Sequence, residues 1–334
     1  MKCSICGNEE NNISHIFRES LYGMPDTFKY FQCSSCQCLQ IHDIPSDFSK
    51  YYLDNYYSYS DSLNETGSHF SCILKNAFHV FSKGFYSKFK NLLWLFWGIH
   101  WPKEVRHLKN QSLNRHSKIL DVGCGNGKFL YALRILGYKN ILGIDPFLKE
   151  TIHYRNGLKI CKQNLSETTG KWDLIMFHHS YEHMPDPLQP LTKSHALLSD
   201  NGICVIRIPT VSSHAWHHYK DCWISIDAPR HCFLHSLKSM EIIAKKASFN
   251  IEAVIYDSAA LQFWGSEQLK QKIPLFSESS YAVNKKKSNF GFIDSIKFNL
   301  EAIKLNKNKY GDSIVVFLKK NGESKLAIRW QGLL

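Results

Sequence analysis

No apolar run in this sequence is long enough to cross a bilayer. The longest strongly apolar stretch, Leu92 to Ile99 (LLWLFWGI), falls far short of the roughly 20 residues a transmembrane helix needs, so none is expected. The first residues, MKCSICGNEE, lack the apolar core of a secretory signal. A cytoplasmic location is therefore expected, with reduced cysteines, where paired cysteines mean metal more often than disulfide. There is no internal repeat. Acidic residues are in deficit: 41 Lys and Arg face 29 Asp and Glu, a net charge of +12, and 17 His add to it below neutral pH. Such a surplus favours anionic partners without choosing among nucleic acid, phosphorylated metabolite and membrane headgroup. The remaining composition, 44% hydrophobic and 21% charged, is that of a folded globular protein and argues against disorder, collagen-like repeats or coiled coil. At 334 residues the length predicts about two domains, or one large domain with an appendage.

Three textures divide the chain. Residues 1–45 hold two cysteine pairs and little helical periodicity; 46–112 is dense in Tyr, Phe, Trp and Lys and reads as a helical lid or linker; 113–334 alternates short apolar runs with helical stretches. Expected strands are Lys118 to Val122, Asn140 to Ile144, Leu158 to Cys161, Asp173 to Phe177, Ile203 to Ile208, Ile251 to Tyr256 and Ser313 to Leu318. The spacing of the first five is the rhythm of a parallel sheet with helices on its faces. Insertions are expected at about 210–235 and 258–311, and the Lys-, Asn- and Ser-rich stretch from Ser277 to Lys309 is expected to be mobile or to form surface helices.

The strongest local signal is Ile119-Leu-Asp121-Val-Gly123-Cys-Gly125-Asn-Gly127-Lys-Phe-Leu. An apolar strand runs into close glycines and then a helix, a turn in which a ligand can approach the backbone. Counting G-x-G-x-x-G from Gly123 puts Lys128 at the third glycine position, which disfavours a pyrophosphate cradle, and no G-K-[ST] follows for a P-loop. Eighteen residues past Gly127, at the end of the next strand, stands Asp145. A carboxylate there can accept both hydroxyls of a ribose; the alternative is an N-capping Asp after a plain turn.

Cys3-x2-Cys6 and Cys33-x2-Cys36 form two knuckles with 26 residues between them, longer than the roughly 15–20 of the usual template. Four thiolates make a closed, tetrahedral, structural Zn2+ site rather than a catalytic one. Cys38 is a fifth thiol, either competing ligand or bystander.

These residues together resemble the class I S-adenosylmethionine-dependent methyltransferases, over about Lys118 to Lys319. ILDVGCGNGKFL is similar to their first motif and ILGIDP to their second-strand acid. WDLIMFHHSYEHMPDP resembles the fourth-strand segment with its E-H-x-x-D-P run, here Glu182, His183, Asp186 and Pro187, and LLSDNGICVIRIP the approach to the fifth strand. The resemblance implies an α/β fold: a Rossmann-like sheet of seven mostly parallel strands with the last run antiparallel beside the fifth. It implies S-adenosyl-L-methionine as cofactor, with Gly123, Gly125 and Gly127 under its methionine part, Asp121 near its ammonium group, Asp145 on the ribose, and Asn164 and Leu165 beside the adenine. Asn164 departs from the family, which often has an acid there.

With the cysteine segment ahead of it, the chain is similar to bacterial sugar methyltransferases, and residues 210–276 resemble those of surface-glycan and glycolipid pathways. The implied acceptor is a sugar or glycan, free, nucleotide-linked, lipid-linked or polymeric. Methyl transfer to a hydroxyl is an in-line displacement that needs a base, and His is the natural one near neutral pH. The loops at the carboxyl edge of the sheet offer His178, His179 and His183 on one side and His231 on the other. His183 is the expected base with Glu182 orienting it, and His231 is second. Arg230 is a candidate clamp for a substrate phosphate or carboxylate, with His178 beside the substrate. The segment Phe78 to Trp101 mixes aromatics with Lys83, Lys88 and Lys90; it is either a peripheral contact with the inner membrane face or the packing face of a lid helix. An RNA methyltransferase and a methyltransferase of quinones or secondary metabolites are the alternatives. Nucleic acid is disfavoured because His178-His-Ser-Tyr181 replaces the D/N-P-P-Y/F run used on exocyclic amines and no Pro-Cys pair occurs.

Overall fold

The residues that close each layer are those whose side chains can be buried on both faces of a strand. The whole of Ile119–Val122 is buried, as is the centre of Trp172–His178, which is how a central parallel strand covered by helices on both sides reads. The computed structural model describes residues 1–52 and 113–322. Most of the expected aromatic lid, including Phe78 to Trp101, lies outside the described residues.

In chain order the elements are β1 (Ile13–Arg18), β2 (Thr27–Gln32), β3 (Leu39–Ile41), β4 (Ile119–Val122), α1 (Lys128–Ile135), β5 (Ile141–Ile144), β6 (Ile152–His153), β7 (Lys159–Cys161), β8 (Trp172–His178), α2 (Leu188–Leu197), β9 (Leu198–Pro209), α3 (His214–Tyr219), β10 (Phe233–Leu234), α4 (Leu237–Lys246), β11 (Phe249–Tyr256), α5 (Leu261–Lys270), α6 (Phe292–Lys307) and β12 (Ser313–Lys320). All seven expected strands are present, as β4, β5, β7, β8, β9, β11 and β12.

The main sheet has the order β11-β12-β9-β8-β4-β5-β7-β6. It is parallel from β9 through β7, with β12 antiparallel between β9 and β11. The eighth strand, one more than expected, is the two-residue β6 added antiparallel to β7. It is too short to leave a periodic signal. In the stretch expected to be mobile or helical, α6 forms a 16-residue surface helix.

The second sheet, β1-β2-β3-β10, joins the amino-terminal segment to the 210–235 insertion. β10 pairs with β3, the Tyr30 hydroxyl donates to the carbonyl of His231 at 2.9 Å, and Lys246 donates to the carbonyl of Ile5 at 2.6 Å. Phe17, Tyr30 and the cysteines share one buried cluster with Trp216, Trp223 and Ile208. The cysteine segment is thus packed onto the domain, beside the loop that carries Asp227 to His231.

Candidate active site

The end of β4 is pinned before any ligand arrives. The amide of Gly123 donates to the carbonyl of Ile144 at the end of β5, at 2.8 Å. Gly123 has φ +70°, where an L side chain is strained, and a Cβ there would lie 2.5 Å from the Cβ of Ser180 in the loop after β8. A glycine is therefore required at this crossing of two loops. Ser180 completes the contact by donating its hydroxyl to the carbonyl of Val122.

Asp145 leaves β5 facing this turn. Its Oδ2 accepts the amide of Gly125 at 3.0 Å and its Oδ1 the amide of Phe147 at 2.9 Å, so the acid and the glycine loop are one hydrogen-bonded unit. Asp121 is buried within β4, and its Oδ1 has no hydrogen-bond partner among the described residues. Burial, with the charge of Asp145 adding to it, pushes the Asp121 carboxyl up to about 8. A buried carboxyl left without a partner is costly, and a cation or N–H donor arriving at this point would relieve it.

Between Gly123, Asp145 and the loops after β7 and β8 lies a cavity of about 410 Å³, whose lining includes Gly123, Asp145, Phe147, Asn164, Leu165 and His183, with Asp121 buried behind it. The volume is within the roughly 300–1,000 Å³ of ligand pockets. The residues expected at ribose and adenine, Asp145, Asn164 and Leu165, share its wall. Gly125 and Gly127, both left-handed, shape the loop without lining the cavity. Tyr52, a lining residue sequence reasoning missed, stacks on Phe147 with ring centroids 5.5 Å apart. No motif surrounds it, so nothing in the sequence singles it out.

The other wall is histidine-rich. β8 ends at His178, whose ring packs against Phe129 at 4.7 Å and is not in the cavity lining. The residue expected beside the substrate is thus turned to the helix side, and its neighbour His179, with φ +51°, lines the cavity in its place. Glu182 is fully buried, with Oε1 3.3 Å from His179 Nδ1 and 3.9 Å from His231 Nε2. Burial pushes its carboxyl up, but the hydrogen bond with His179 and the three surrounding imidazoles outweigh this and hold it at about 2. Burial, followed by the charge of His231, lowers His183 to about 4, so it is a neutral imidazole at pH 7. The structure thus brings the three residues expected to be catalytic, Glu182, His183 and His231, into one cluster.

Arg230 is placed otherwise than a substrate clamp requires. Its side chain is fully buried, with Nε and Nη2 on Asp227 at 2.8 and 2.6 Å, Nη2 also on Glu19, and Nη1 on the carbonyl of Tyr51. Its fork holds protein carboxylates, one of them from the amino-terminal segment, and is not presented to the cavity. Neighbouring Arg and His in a loop sequence do not reveal which of the two turns inward.

The sulfurs of Cys3, Cys6, Cys33 and Cys36 lie within 4.8 Å of one another. Each knuckle closes with a left-handed residue donating back to the first cysteine, Gly7 (φ +82°) to the carbonyl of Cys3 and Gln37 (φ +63°) to that of Cys33. Gln40 donates to Cys3 Sγ at 3.1 Å and the amide of Cys36 to Cys33 Sγ at 3.4 Å, the outer-shell support thiolates need. The cluster fits a zinc-binding segment. Cys38 is outside it, its thiol directed at the carbonyl of Leu234.

Residues 100–254 match a family model described as a methyltransferase domain. Residues 100–254 carry a methyltransferase domain. Over 89 residues this domain is similar, at 37% identity, to a tRNA U34 carboxymethyltransferase of Geobacter sp. (strain M21), a match covering 27% of each chain. Over 131 residues it is similar, at 30% identity, to a ubiquinone biosynthesis O-methyltransferase of Histophilus somni (strain 2336), covering 34% of this chain and 55% of that one. The chain thus spans about a quarter and about half of the lengths of these relatives. Among solved structures, the cyclopropane synthase MmaA2 of Mycobacterium tuberculosis aligns over 65% of this chain and 83% of its own, at 15% identity and a TM-score of 0.43. Within the methyltransferase domain the cofactor has a fitting site: Asp121, whose Oδ1 has no partner among the described residues, suits an ammonium group, and Gly123 and Asp145 line one cavity. Among the described residues no helix is long and apolar enough to cross a membrane.

Proposed function

We propose that the protein transfers the methyl group of S-adenosylmethionine to a hydroxyl oxygen of a sugar in surface-polysaccharide or glycolipid assembly. The observation that carries the reading is that the cavity joins two chemistries. One end holds Asp145 on the glycine turn, next to Asp121 with its Oδ1 free of partners among the described residues; the other opens on His179 and on His183, the member of the Glu182 cluster that lines the cavity. The cofactor supplies the electrophilic methyl group. Asp121 pairs its ammonium group and Asp145 accepts from its ribose, while the imidazole wall receives the acceptor hydroxyl. The similarity to a protein named an O-methyltransferase supports oxygen as the receiving atom. Polar imidazoles at that end, beside the aromatic face of Tyr52, suit the hydroxyls and ring face of a sugar. We assign the four cysteines a structural Zn2+.

The test is transfer of radiolabelled methyl into a fractionated lysate of cells lacking the gene, whose acceptors are unmethylated. Label in a nuclease-resistant glycan pool, released as a methylated sugar on acid hydrolysis, is the expected result. Label removed by RNase assigns the protein to RNA, and label in a sugar-free lipid pool assigns it to quinone-like acceptors; either overturns the sugar assignment.

Two further expectations arise here. The ammonium group pairs the Asp121 carboxylate, whose ligand-free titration lies at about 8. Below that pH a proton must leave on binding, so affinity for S-adenosylhomocysteine should rise with pH between 6 and 8, by up to about tenfold per unit, and flatten above. Calorimetric titration across that window checks it, and a flat profile refutes the pairing. Replacing Cys33 and Cys36 by Ser should lower zinc content and soluble yield together, because binding energy at such a site is folding energy. Metal analysis of the purified variant that finds unchanged zinc removes the assignment.

A further inference from the structure

The Glu182 cluster is built as a metal site more than as a base with its orienting acid. The Nδ1 of His183 lies 2.9 Å from the carbonyl of Arg230, and the Nδ1 of His231 lies 2.7 Å from the carbonyl of Ser225. A carbonyl only accepts, so each Nδ1 carries a proton, and in the neutral ring Nε2 is then the atom with a free electron pair; the Tyr52 hydroxyl also approaches His183 Nδ1, at 3.2 Å. A backbone acceptor on one ring nitrogen is the outer-shell arrangement that fixes a metal-binding imidazole. Glu182 Oε2 is buried without a hydrogen-bond partner among the described residues. One ligand atom from each of Glu182, His183 and His231 lies within 4.8 Å of the others, against about 3.0–3.4 Å between neighbouring ligands of one ion held at about 2.1 Å. Side-chain rotation that brings the three together by about 1.5 Å closes the shell.

We infer that Glu182, His183 and His231 bind a divalent first-row cation beside the cofactor cavity, and that its open positions take two adjacent oxygens of the acceptor. Two imidazoles and one carboxylate are nitrogen and oxygen donors, suited to Mn2+, Fe2+, Co2+ or Zn2+, and chemically distinct from the four thiolates. An ion held by three side chains on one side keeps positions for an exchangeable ligand. The acceptor part rests on the methyl-transfer reading, where adjacent hydroxyls of a sugar provide such a pair; cation binding does not depend on it.

The experiment titrates Mn2+ into the zinc-loaded protein and follows the electron paramagnetic resonance signal of the free hydrated ion. The wild-type chain should bind one Mn2+. Glu182→Gln, nearly isosteric, and His231→Gln should each weaken binding at least tenfold while keeping a thermal shift with S-adenosylhomocysteine, which reports that the fold and cofactor cavity persist. Wild-type protein that leaves the Mn2+ signal unchanged overturns the proposal, as does binding that survives in the Glu182→Gln, His231→Gln double variant. The homocysteine shift separates the two readings: Mn2+ binding without any response to S-adenosylhomocysteine keeps the cation site and removes methyl transfer. Methyl transfer unaffected by exhaustive chelation, in protein that does bind Mn2+, removes the acceptor role.

Discussion

Asp145→Ala should reduce affinity for S-adenosylhomocysteine by at least two orders of magnitude. Hydrogen bonds to charged groups are worth about 1.5–3 kcal/mol each, and the carboxylate is placed to accept two from a ribose, which gives roughly 3–6 kcal/mol, or about two to four decades in Kd. The same change frees the amides of Gly125 and Phe147, which Asp145 now holds, and so loosens the turn beneath the methionine part as well. Asp145→Asn keeps the size and one acceptor oxygen and should fall between the two. A second signature distinguishes loss of a contact from general disruption. Asp145 contributes to the raised titration of Asp121. With the like charge removed in Asp145→Asn, Asp121 ionises more readily, and the rise of affinity with pH should move to lower pH. Calorimetry on both variants at several pH values measures both effects. Near-wild-type affinity of Asp145→Ala would refute the ribose assignment outright.

The parts of this fold that could be read from sequence are those that repeat a local rule. β4, β5, β7, β8 and β9 are short apolar runs punctuated by glycines and helices, and their buried faces enforce the pattern. The glycine turn and Asp145 were legible because their chemistry depends on backbone conformation and spacing along the chain. The cysteine knuckles were legible for the same reason. What stayed hidden depends on contacts distant in sequence. Arg230 meets Glu19 across 211 positions and the carbonyl of Tyr51 across 179, and no local pattern announces that its fork is filled. Which of His178 and His179 faces the cavity hinges on a single positive φ at the end of β8. The role of His183 turns on a hydrogen bond to the Arg230 carbonyl, which fixes its tautomer and is invisible in the motif E-H-x-x-D-P.

Arg230→Met should cost about 3–5 kcal/mol of stability, the range for breaking a buried ion cluster by removing one partner. Against total stabilities of about 5–15 kcal/mol this is the largest single-side-chain effect expected outside the aromatic core. The reason is electrostatic rather than steric. Arg230 holds Asp227 and Glu19 with both carboxylates buried, and Met fills much of the volume but leaves two negative charges facing one another without solvent. Burial pushes the Asp227 carboxyl up and the Arg230 charge draws it back below its ordinary value. Without that charge the acid should take up a proton, and the variant should lose less stability at pH 5 than at pH 8. If unpaired charge is the cause, removing all of it should restore the fold: Glu19→Gln and Asp227→Asn in the Arg230→Met background should recover much of the loss, since a buried ion cluster replaced as a whole is often close to neutral. Urea denaturation midpoints of the single and triple variants decide it. A triple variant no more stable than Arg230→Met would mean that the guanidinium acts through the carbonyl of Tyr51, tying the amino-terminal segment to the loop that carries His231, rather than through its charge.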